Sequence, residues 1–112
     1  MLFRSDYITM SSLGNAATFG NLITTLARGA GFQSPVRGIM AGGGTPTSSN
    51  VIQYITISTL GDSQDFGDAT YNGAQLSGAS NSIRGIFAGG VNISTINYVT
   101  IASIGEIGRA HV

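Results

Sequence analysis

The segment RGIMAGG at Arg37–Gly43 recurs as RGIFAGG at Arg84–Gly90, forty-seven residues later and with one letter changed. The surrounding residues match at the same offset of 47, without a gap, from Tyr7 onward. Self-similarity at a period of about 20 to 50 residues indicates a repeat protein, in which each unit buries its apolar surface against its neighbours. The matched pairs are Tyr7 and Tyr54, Phe19 and Phe66, Gly31 and Gly78, and Arg37 and Arg84, and Tyr98 repeats the tyrosine a third time.

The repeat changes length directly after the glycine pairs. Gly43 and Tyr54 are 11 residues apart, whereas Gly90 and Tyr98 are 8 apart, so the offset falls to 44. Length differences concentrate in surface loops, which also carry binding functions. The two segments are therefore predicted to be ligand-contact loops, whose short polar side chains suit carbohydrate or water-rich contacts; a plain linker is the alternative. The candidate contact residues are Thr45, Thr47, Ser48, Ser49, Asn50, Asn92, Ser94 and Thr95.

Within one period every local signal is that of a β-strand. YITISTLG from Tyr54 alternates in polarity, and IRGIFAGG is a short apolar run that ends in glycines. The turn-forming segments QSP, SNS and LGDSQ separate the strands, and no window has the apolar stripe of an amphipathic helix. Each period is thus predicted to hold four short strands. Four strands in a repeat of about 40 to 50 residues are typical of a β-propeller blade.

The composition agrees with sheets that are covered on both faces. Charged residues make up 9% of the chain, against about 25% in average globular proteins. Five basic and five acidic residues leave no net charge, so a nucleic-acid partner is not expected. The absence of cysteine excludes disulfides and thiolate chemistry. Membrane insertion is not expected either, because no apolar run approaches the roughly 20 residues of a membrane helix.

The repeated letters resemble the kelch repeat, in which a short apolar strand ends in Gly-Gly, the next strand carries a tyrosine and the last carries an aromatic residue. The chain departs from that family where phenylalanine replaces the usual tryptophan and where arginine opens the glycine strand. The resemblance reaches as far as Gly105. It implies that the structural motif residues are Tyr7, Phe19, Arg37, Gly42, Gly43, Tyr54, Phe66, Arg84, Gly89, Gly90 and Tyr98.

A closer resemblance is to a variant of the kelch repeat found in tailed bacteriophages, especially marine ones. NYVTIASIG, QDFGDAT and RGIFAGG match that variant almost letter for letter. The resemblance implies a non-catalytic, tail-fibre-like virion protein that binds a protein or glycan surface of the host, or other virion proteins. The alternatives are a bacterial kelch interaction module, cytoplasmic or secreted, and a scaffold fragment of an enzyme similar to galactose oxidase.

The repeated letters also have physical reasons. A glycine pair after a strand permits positive φ angles and the close approach of another backbone. A strand tyrosine buries its ring between blades, and its hydroxyl is expected to bond the backbone. The arginine that opens each glycine strand, Arg37 or Arg84, is expected to reach main-chain carbonyls of a neighbouring blade with its five donors.

The kelch order places the innermost strand first, the glycine strand second, the tyrosine strand third and the phenylalanine strand last. The resemblance then implies an open arc of roughly two and a quarter blades: residues 1–26 end one blade, 27–70 form a complete blade, and 71–105 supply three strands of the next. Residues 106–112, EIGRAHV, have no counterpart in the earlier repeats, and their codons can spell a widely used sequencing-library adapter. We expect this tail to be non-native and the other blades to belong to a longer chain.

No pattern of catalytic or metal-binding residues recurs in the repeats. The only histidine, His111, lies in the final tail, and no nucleophile is paired with a base. The spacing of Asp62, Asp65 and Asp68 lacks the glycine and closing glutamate of a calcium loop, which favours solvated turn residues. Gly42–Gly44 is not followed by the Lys-Ser/Thr of a phosphate-binding loop. We expect neither enzymatic activity nor a cofactor or metal.

Overall fold

A computed structural model describes residues 4–23, 29–43, 49–73, 76–89, 95–105 and 107–110. Over these residues the chain forms ten β-strands and no helix, which confirms the all-β prediction. In chain order the strands are β1 (Arg4–Tyr7), β2 (Ala17–Asn21), β3 (Ala30–Gln33), β4 (Arg37–Ala41), β5 (Ser49–Thr56), β6 (Gln64–Gly73), β7 (Leu76–Ser80), β8 (Arg84–Gly89), β9 (Ile96–Thr100) and β10 (Ile107–Ala110).

The strands pair into three antiparallel sheets. Sheet I contains β1 and β2, sheet II has the order β3-β4-β5-β6, and sheet III has the order β7-β8-β9-β10. In sheets II and III each strand pairs with the next one along the chain, which requires only short connections. The glycine strands β4 and β8 hold the second place and the tyrosine strands β5 and β9 the third, in the order expected from the sequence.

The pairing register repeats with the same offsets as the sequence. The arginine that opens the glycine strand pairs with the last threonine of the tyrosine strand, as Arg37 with Thr56 and Arg84 with Thr100. A β-bulge also recurs at equivalent places of the β1–β2 and β5–β6 pairs, where Phe19 and Phe66 are the extra residues opposite Ser5–Asp6 and Ile52–Gln53. Because a bulge is a specific local feature of a strand pair, its recurrence shows that the sequence repeat is a structural repeat.

Sheets II and III lie face to face, with equivalent strands near each other: β3 contacts β7 and β8, and β6 contacts β10. The rings of Phe32 and Phe87 stack with centroids 6.0 Å apart and 12° between their planes. Gly85 lies under the Phe32 ring, where a Cβ atom would collide with it, so this close approach requires glycine. The Ser80 hydroxyl accepts from the Gln33 amide at 3.1 Å and donates to the Gln33 carbonyl at 2.8 Å.

The apolar core is continuous across sheets II and III. The fully buried apolar side chains of greatest volume are Phe66, Phe87, Ile39, Ile52, Ile101 and Val99. Two amide side chains, Gln53 and Asn97, are buried with them. This burial explains the low charge of the sequence, because a sheet that packs on a neighbour has few positions where an ionised side chain stays hydrated.

Sheet I lies against the turn between β5 and β6. The amides of Gly61 and Ser63 donate to the carbonyls of Phe19 and Asn21 at 2.9 and 2.8 Å. The Asp62 carboxylate accepts the Asn21 amide at 2.9 Å. The turn therefore extends the edge of β2 and covers backbone groups that would otherwise be exposed on an edge strand.

Two strands are longer than the sequence suggests. β5 begins at Ser49, so Ser49 and Asn50 belong to a strand and not to the predicted loop. β6 runs for ten residues to Gly73, beyond the expected end of the repeat unit at residue 70. The reason is that the two strands continue to pair past a second irregularity, where Ser49 lies opposite Gly73 and Val51 opposite Asp68.

Sheet III also has a fourth strand that the sequence did not lead us to expect. The sequence supplies three strands up to Gly105, and β10 pairs antiparallel with β9 beyond that point. Gly108 lies opposite Tyr98, in the register that Gln64 takes opposite Tyr54. β10 thus takes the position in sheet III that β6 has in sheet II, although the sequences of the two strands do not match. The non-native origin of residues 106–112 stays a prediction.

Candidate functional site

The predicted contact loops lie mostly outside the described residues. This applies to Thr45, Thr47, Ser48, Asn92 and Ser94. Asn50 in β5 and Thr95, directly before β9, are half-buried. Because neighbouring strands are antiparallel, the last residues of β4 and β8 lie at one edge of the sheets, opposite the β3–β4 and β5–β6 turns.

The glycine pairs have the conformation that the sequence predicts. Gly42 and Gly43 have φ angles of 67° and 79°, and Gly89 has a φ of 106°, a region that favours glycine. Gly42 and Gly43 are buried, and the Gly42 amide donates to the Val51 carbonyl at 3.1 Å. These glycines let the chain leave the end of β4 while its backbone stays paired, so their role is structural. Gly90 lies outside the described residues.

The repeated tyrosine and phenylalanine form the same edge-to-face pair in two sheets. The centroids of Tyr7 and Phe19 are 6.1 Å apart, those of Tyr54 and Phe66 are 6.0 Å apart, and both pairs have an interplanar angle of 85°. Aromatic rings favour this arrangement. The Tyr54 hydroxyl donates to the side chain of Gln64 at 2.7 Å, so the expected bond to the backbone is wrong. The acceptor that this hydroxyl meets is a side chain of the neighbouring strand β6.

The two repeated arginines make the same contact within their sheets but differ between sheets. The Arg37 guanidinium lies 4.7 Å from the Tyr54 ring centroid, and that of Arg84 lies 4.6 Å from the Tyr98 centroid. Arg37 also donates from Nη1 to the Ile101 carbonyl of sheet III at 2.8 Å, a charge-assisted bond. This is the contact with a neighbouring sheet that the sequence predicts. Arg84 is exposed and has no such carbonyl among the described residues.

Two buried amide side chains bind the preceding sheet, and sequence reasoning missed them. Gln53 Oε1 accepts the main-chain amide of Ile23 at 2.8 Å, and Asn97 Oδ1 accepts that of Thr70 at 2.9 Å. The two donors are themselves 47 residues apart, so one hydrogen bond between neighbouring sheets occurs twice. The signal in the sequence is a polar residue directly before each repeated tyrosine, and Asp6 is the third example.

A cleft of about 450 Å³ lies between β2 and the β5–β6 turn. Its lining consists of Phe19, Tyr54, Ile55, Thr56, Thr59, Leu60, Gly61, Asp62, Ser63 and Gln64. Several of its polar groups already have partners within the protein: Asp62 accepts the Asn21 amide, and the Ser63 hydroxyl donates to Gln53 at 2.7 Å. The cleft contains no pair of a nucleophile and a base, and its polar groups join sheet I to sheet II.

The three aspartates with regular spacing do not converge. Asp62, Asp65 and Asp68 are all exposed. The turn interpretation is correct for Asp62 and wrong for the other two, which lie within β6, Asp65 before the bulge and Asp68 after it. Over the part of the chain that the structure describes, no three His, Cys, Asp or Glu side chains are grouped as a metal site. His111 lies outside that part.

Tyr71 on β6 carries a buried hydroxyl that has no hydrogen-bond partner among the residues that the structure describes. Burial raises the pKa of the Tyr71 phenol above its usual value, since the charged phenolate would lose its hydration. The ring packs against the main core. The Tyr71 ring therefore contributes to the packing of the core.

No protein-family model matches the chain, and no curated protein resembles it significantly. In the described ranges there is also no helix with the length and apolar character needed to cross a membrane. The site must therefore be interpreted from the repeat, from the contacts between sheets and from the position of the two loops.

Proposed function

We propose that the chain is part of a kelch-type β-propeller and acts as a non-catalytic, tail-fibre-like virion protein that binds a host surface or virion partners. The observation that carries the propeller part is the packing of sheet II on sheet III, with equivalent strands side by side. Sheets that repeat this packing form the radial arrangement of propeller blades. The virion part rests on the near letter-for-letter resemblance of NYVTIASIG, QDFGDAT and RGIFAGG to the bacteriophage variant.

The binding residues in this proposal belong to the two segments that follow the last residues of β4 and β8. The opposite edge is made of turns whose polar groups bind their own backbone. Ser34 Oγ accepts the amides of Val36 and Arg37, at 3.2 and 3.1 Å. Asn81 Oδ1 accepts those of Ile83 and Arg84, both at 2.8 Å. The segments after β4 and β8 contain threonine, serine and asparagine residues of the kind that suits protein or glycan contacts, and they are where the repeats differ in length.

A binding experiment on the full chain tests the loop surface. A variant with Thr45→Ala, Thr47→Ala and Ser48→Ala is compared with the wild type on a glycan array and on host cell-surface extracts. The matched control is Ser82→Ala, which changes an exposed serine of the turn edge. The proposal predicts that the loop variant loses binding and that the control keeps it. Equal binding by both variants, or no binding by the wild type to any glycan or virion protein, would contradict it.

The genomic neighbourhood tests the virion assignment independently. Flanking genes for capsid and tail proteins would support it. A signal peptide or a membrane span in the same reading frame would instead support a bacterial kelch module. A copper-binding set of cysteine, tyrosine and histidine on further blades would support an enzyme similar to galactose oxidase.

A further inference from the structure

Asn72 is the one asparagine of the chain that is followed directly by a glycine. An asparagine side chain loses its amide group when the main-chain nitrogen of the next residue attacks the side-chain carbonyl carbon. A side chain on that next residue crowds the nitrogen and restricts its backbone, and glycine imposes neither limit. The sequence therefore gives Asn72 a more accessible attacking nitrogen than any other asparagine has.

The structure places Asn72 where the pairing of β6 with β5 is interrupted. Val51 is paired with Asp68, and the next pair joins Ser49 to Gly73. Residues 69–72 of β6 thus lie opposite residue 50 alone, and such an irregularity disrupts the ladder of backbone hydrogen bonds locally. Asn72 is also exposed, so water reaches its side chain.

Two other asparagines show how the fold restrains the same side chain elsewhere. Asn81 is exposed, but its Oδ1 accepts the amides of Ile83 and Arg84, both at 2.8 Å. Asn97 is buried, and its amide group exchanges hydrogen bonds with Thr70. Each of these side chains must break its local bonds before the next main-chain nitrogen can attack.

We propose that Asn72 is a site of spontaneous modification, at which the folded chain converts this asparagine to aspartate and isoaspartate. The Gly73 nitrogen loses its proton to hydroxide and attacks the side-chain carbonyl carbon of Asn72. The new carbon–nitrogen bond closes a five-membered imide, and the bond to the side-chain nitrogen breaks, which releases ammonia after that nitrogen takes a proton from water.

Water then adds to one of the two imide carbonyls and opens the ring. Opening at the side-chain carbonyl restores the main chain and leaves an aspartate at position 72. Opening at the main-chain carbonyl leaves isoaspartate, in which the chain runs through the former side chain. Water is the only reactant consumed and ammonia the only molecule lost, so the conversion needs no enzyme, oxidant or reductant.

Either product changes sheet II next to the start of β5. The new carboxylate adds a negative charge to a chain whose formal net charge is zero. Isoaspartate also lengthens the main chain by an extra carbon, immediately before the residue that pairs with Ser49. We therefore expect isoaspartate to disrupt the pairing of Ser49 with Gly73. The inference concerns the chemistry of the chain itself and does not depend on what the loops bind.

Peptide mapping by mass spectrometry tests the proposal on the full chain, incubated at neutral and at mildly alkaline pH. Modification is expected at Asn72 before any other asparagine, with an equal amount of ammonia released and with isoaspartate detected by enzymatic methylation. The rate should rise about tenfold per pH unit, because only the deprotonated nitrogen attacks.

The same incubation in urea separates the effect of the fold from that of the sequence. Unfolding should raise the rate at Asn81 by more than about tenfold, because its side chain loses the bonds that hold it. The rate at Asn72 should change less. Modification of Asn72 only in urea would overturn the proposal, because the folded chain would then prevent the attack. A folded chain that modifies Asn81 as fast as Asn72 would also overturn it.

Two glycine variants test whether Gly73 supplies the attacking nitrogen. Gly73→Ala keeps the asparagine and crowds the nitrogen, so modification should slow by more than about tenfold. The matched control is Gly14→Ala, where an added Cβ meets nothing within 4 Å, and it should modify Asn72 at the wild-type rate. Hydrogen exchange of the β8 amides verifies that both variants keep the fold. An unchanged rate in Gly73→Ala would contradict the proposed attack.

Discussion

Sheets II and III carry the same pattern of residues on the face that contains the repeated tyrosine. These two equivalent faces meet different surroundings. In sheet II, Ile39 and Tyr54 lie under sheet III and are buried, and Arg37 reaches across to a carbonyl of that sheet. In sheet III, Ile86 is exposed, and Arg84 lies over the ring of Tyr98 but has no carbonyl acceptor from another sheet among the described residues. Burial of an isoleucine side chain stabilises a fold by about 1.5–3 kcal/mol. Equivalent residues should therefore contribute unequally to stability, in proportion to the cover that a neighbouring sheet supplies.

The largest expected effect comes from truncating the isoleucine of each face. Ile39→Ala should lower the free energy of unfolding by about 2–5 kcal/mol, because it opens a cavity between two packed sheets. Ile86→Ala should cost about 1 kcal/mol or less, since part of its surface is already hydrated. Urea denaturation at low protein concentration measures the free energy of unfolding of both variants. Equal losses would mean that the face of sheet III with Ile86 is covered as completely as the face of sheet II with Ile39.

A second comparison uses the glycines that precede these isoleucines. Gly85→Ala places a methyl group against the Phe32 ring, which cannot move away because it stacks on Phe87. We expect a loss of about 1–3 kcal/mol from this overpacking. Gly38→Ala brings its Cβ to 3.2 Å from Ile55 Cγ1, a side chain that is only half-buried and has room to shift. Thermal melts of the two variants should therefore differ, and a milder effect at Gly85 would contradict the face-to-face packing.

The arginine pair should show a smaller difference in the same direction. Arg37→Ala removes the donor to the Ile101 carbonyl and should cost about 1–3 kcal/mol, because that carbonyl loses its charged partner. Arg84→Ala removes a contact with the Tyr98 ring that is worth about 0.5–1 kcal/mol at an exposed site. Chemical denaturation at low protein concentration compares them. Similar losses would show that Arg84 has a partner equivalent to the Ile101 carbonyl.

The smallest expected effect concerns Tyr71, which packs against the core and is not one of the repeated motif residues. Its folded-state pKa is raised by burial, so the folded state disfavours the phenolate. Stability should be unaffected below about pH 10, the usual tyrosine pKa, and should fall as the pH rises through the raised value. Tyr71→Phe should change stability by less than about 1 kcal/mol at neutral pH, because the lost hydroxyl has no hydrogen-bond partner in the described part of the chain.

Urea denaturation at neutral and at alkaline pH separates the two forms of Tyr71. The Tyr71→Phe variant should lose less stability at alkaline pH than the wild type. An equal loss of stability at alkaline pH in both proteins would mean that other tyrosines cause the loss.

Much of the fold could be predicted from the repeated residues, because the signals for strands and turns are local. The offset of 47 placed β6, β7 and β8 from their earlier equivalents, and the drop to 44 aligned β9 with β5. The positive φ angles of Gly42 and Gly43 and the contact of Arg37 with a neighbouring sheet were also predictable, since both depend on residue types with a narrow range of uses. The predicted contact loops could be tested less well, since they lie largely outside the described residues.

Other features could not be predicted because they depend on contacts that are distant in the sequence. Gln53 and Asn97 look like ordinary polar residues of a strand until the preceding sheet brings a main-chain amide to each of them. Asp65 and Asp68 looked like turn residues, but β6 already begins at Gln64 and continues past the bulge in the β5–β6 pair, so both lie in the strand. β10 pairs with β9 although its letters do not match the repeat, since backbone hydrogen bonds require no particular side chain.

The sequence by itself determined the repeating unit of this protein: which segments are strands, where they turn and which side chains alternate. These properties are set by backbone preferences and by the period of apolar residues within a few neighbouring positions. Only the tertiary structure decided which of two equivalent faces is shielded from solvent. Solvent exposure depends on the sheet that lies opposite, so Ile39 is buried and Ile86 is exposed although the same motif surrounds both.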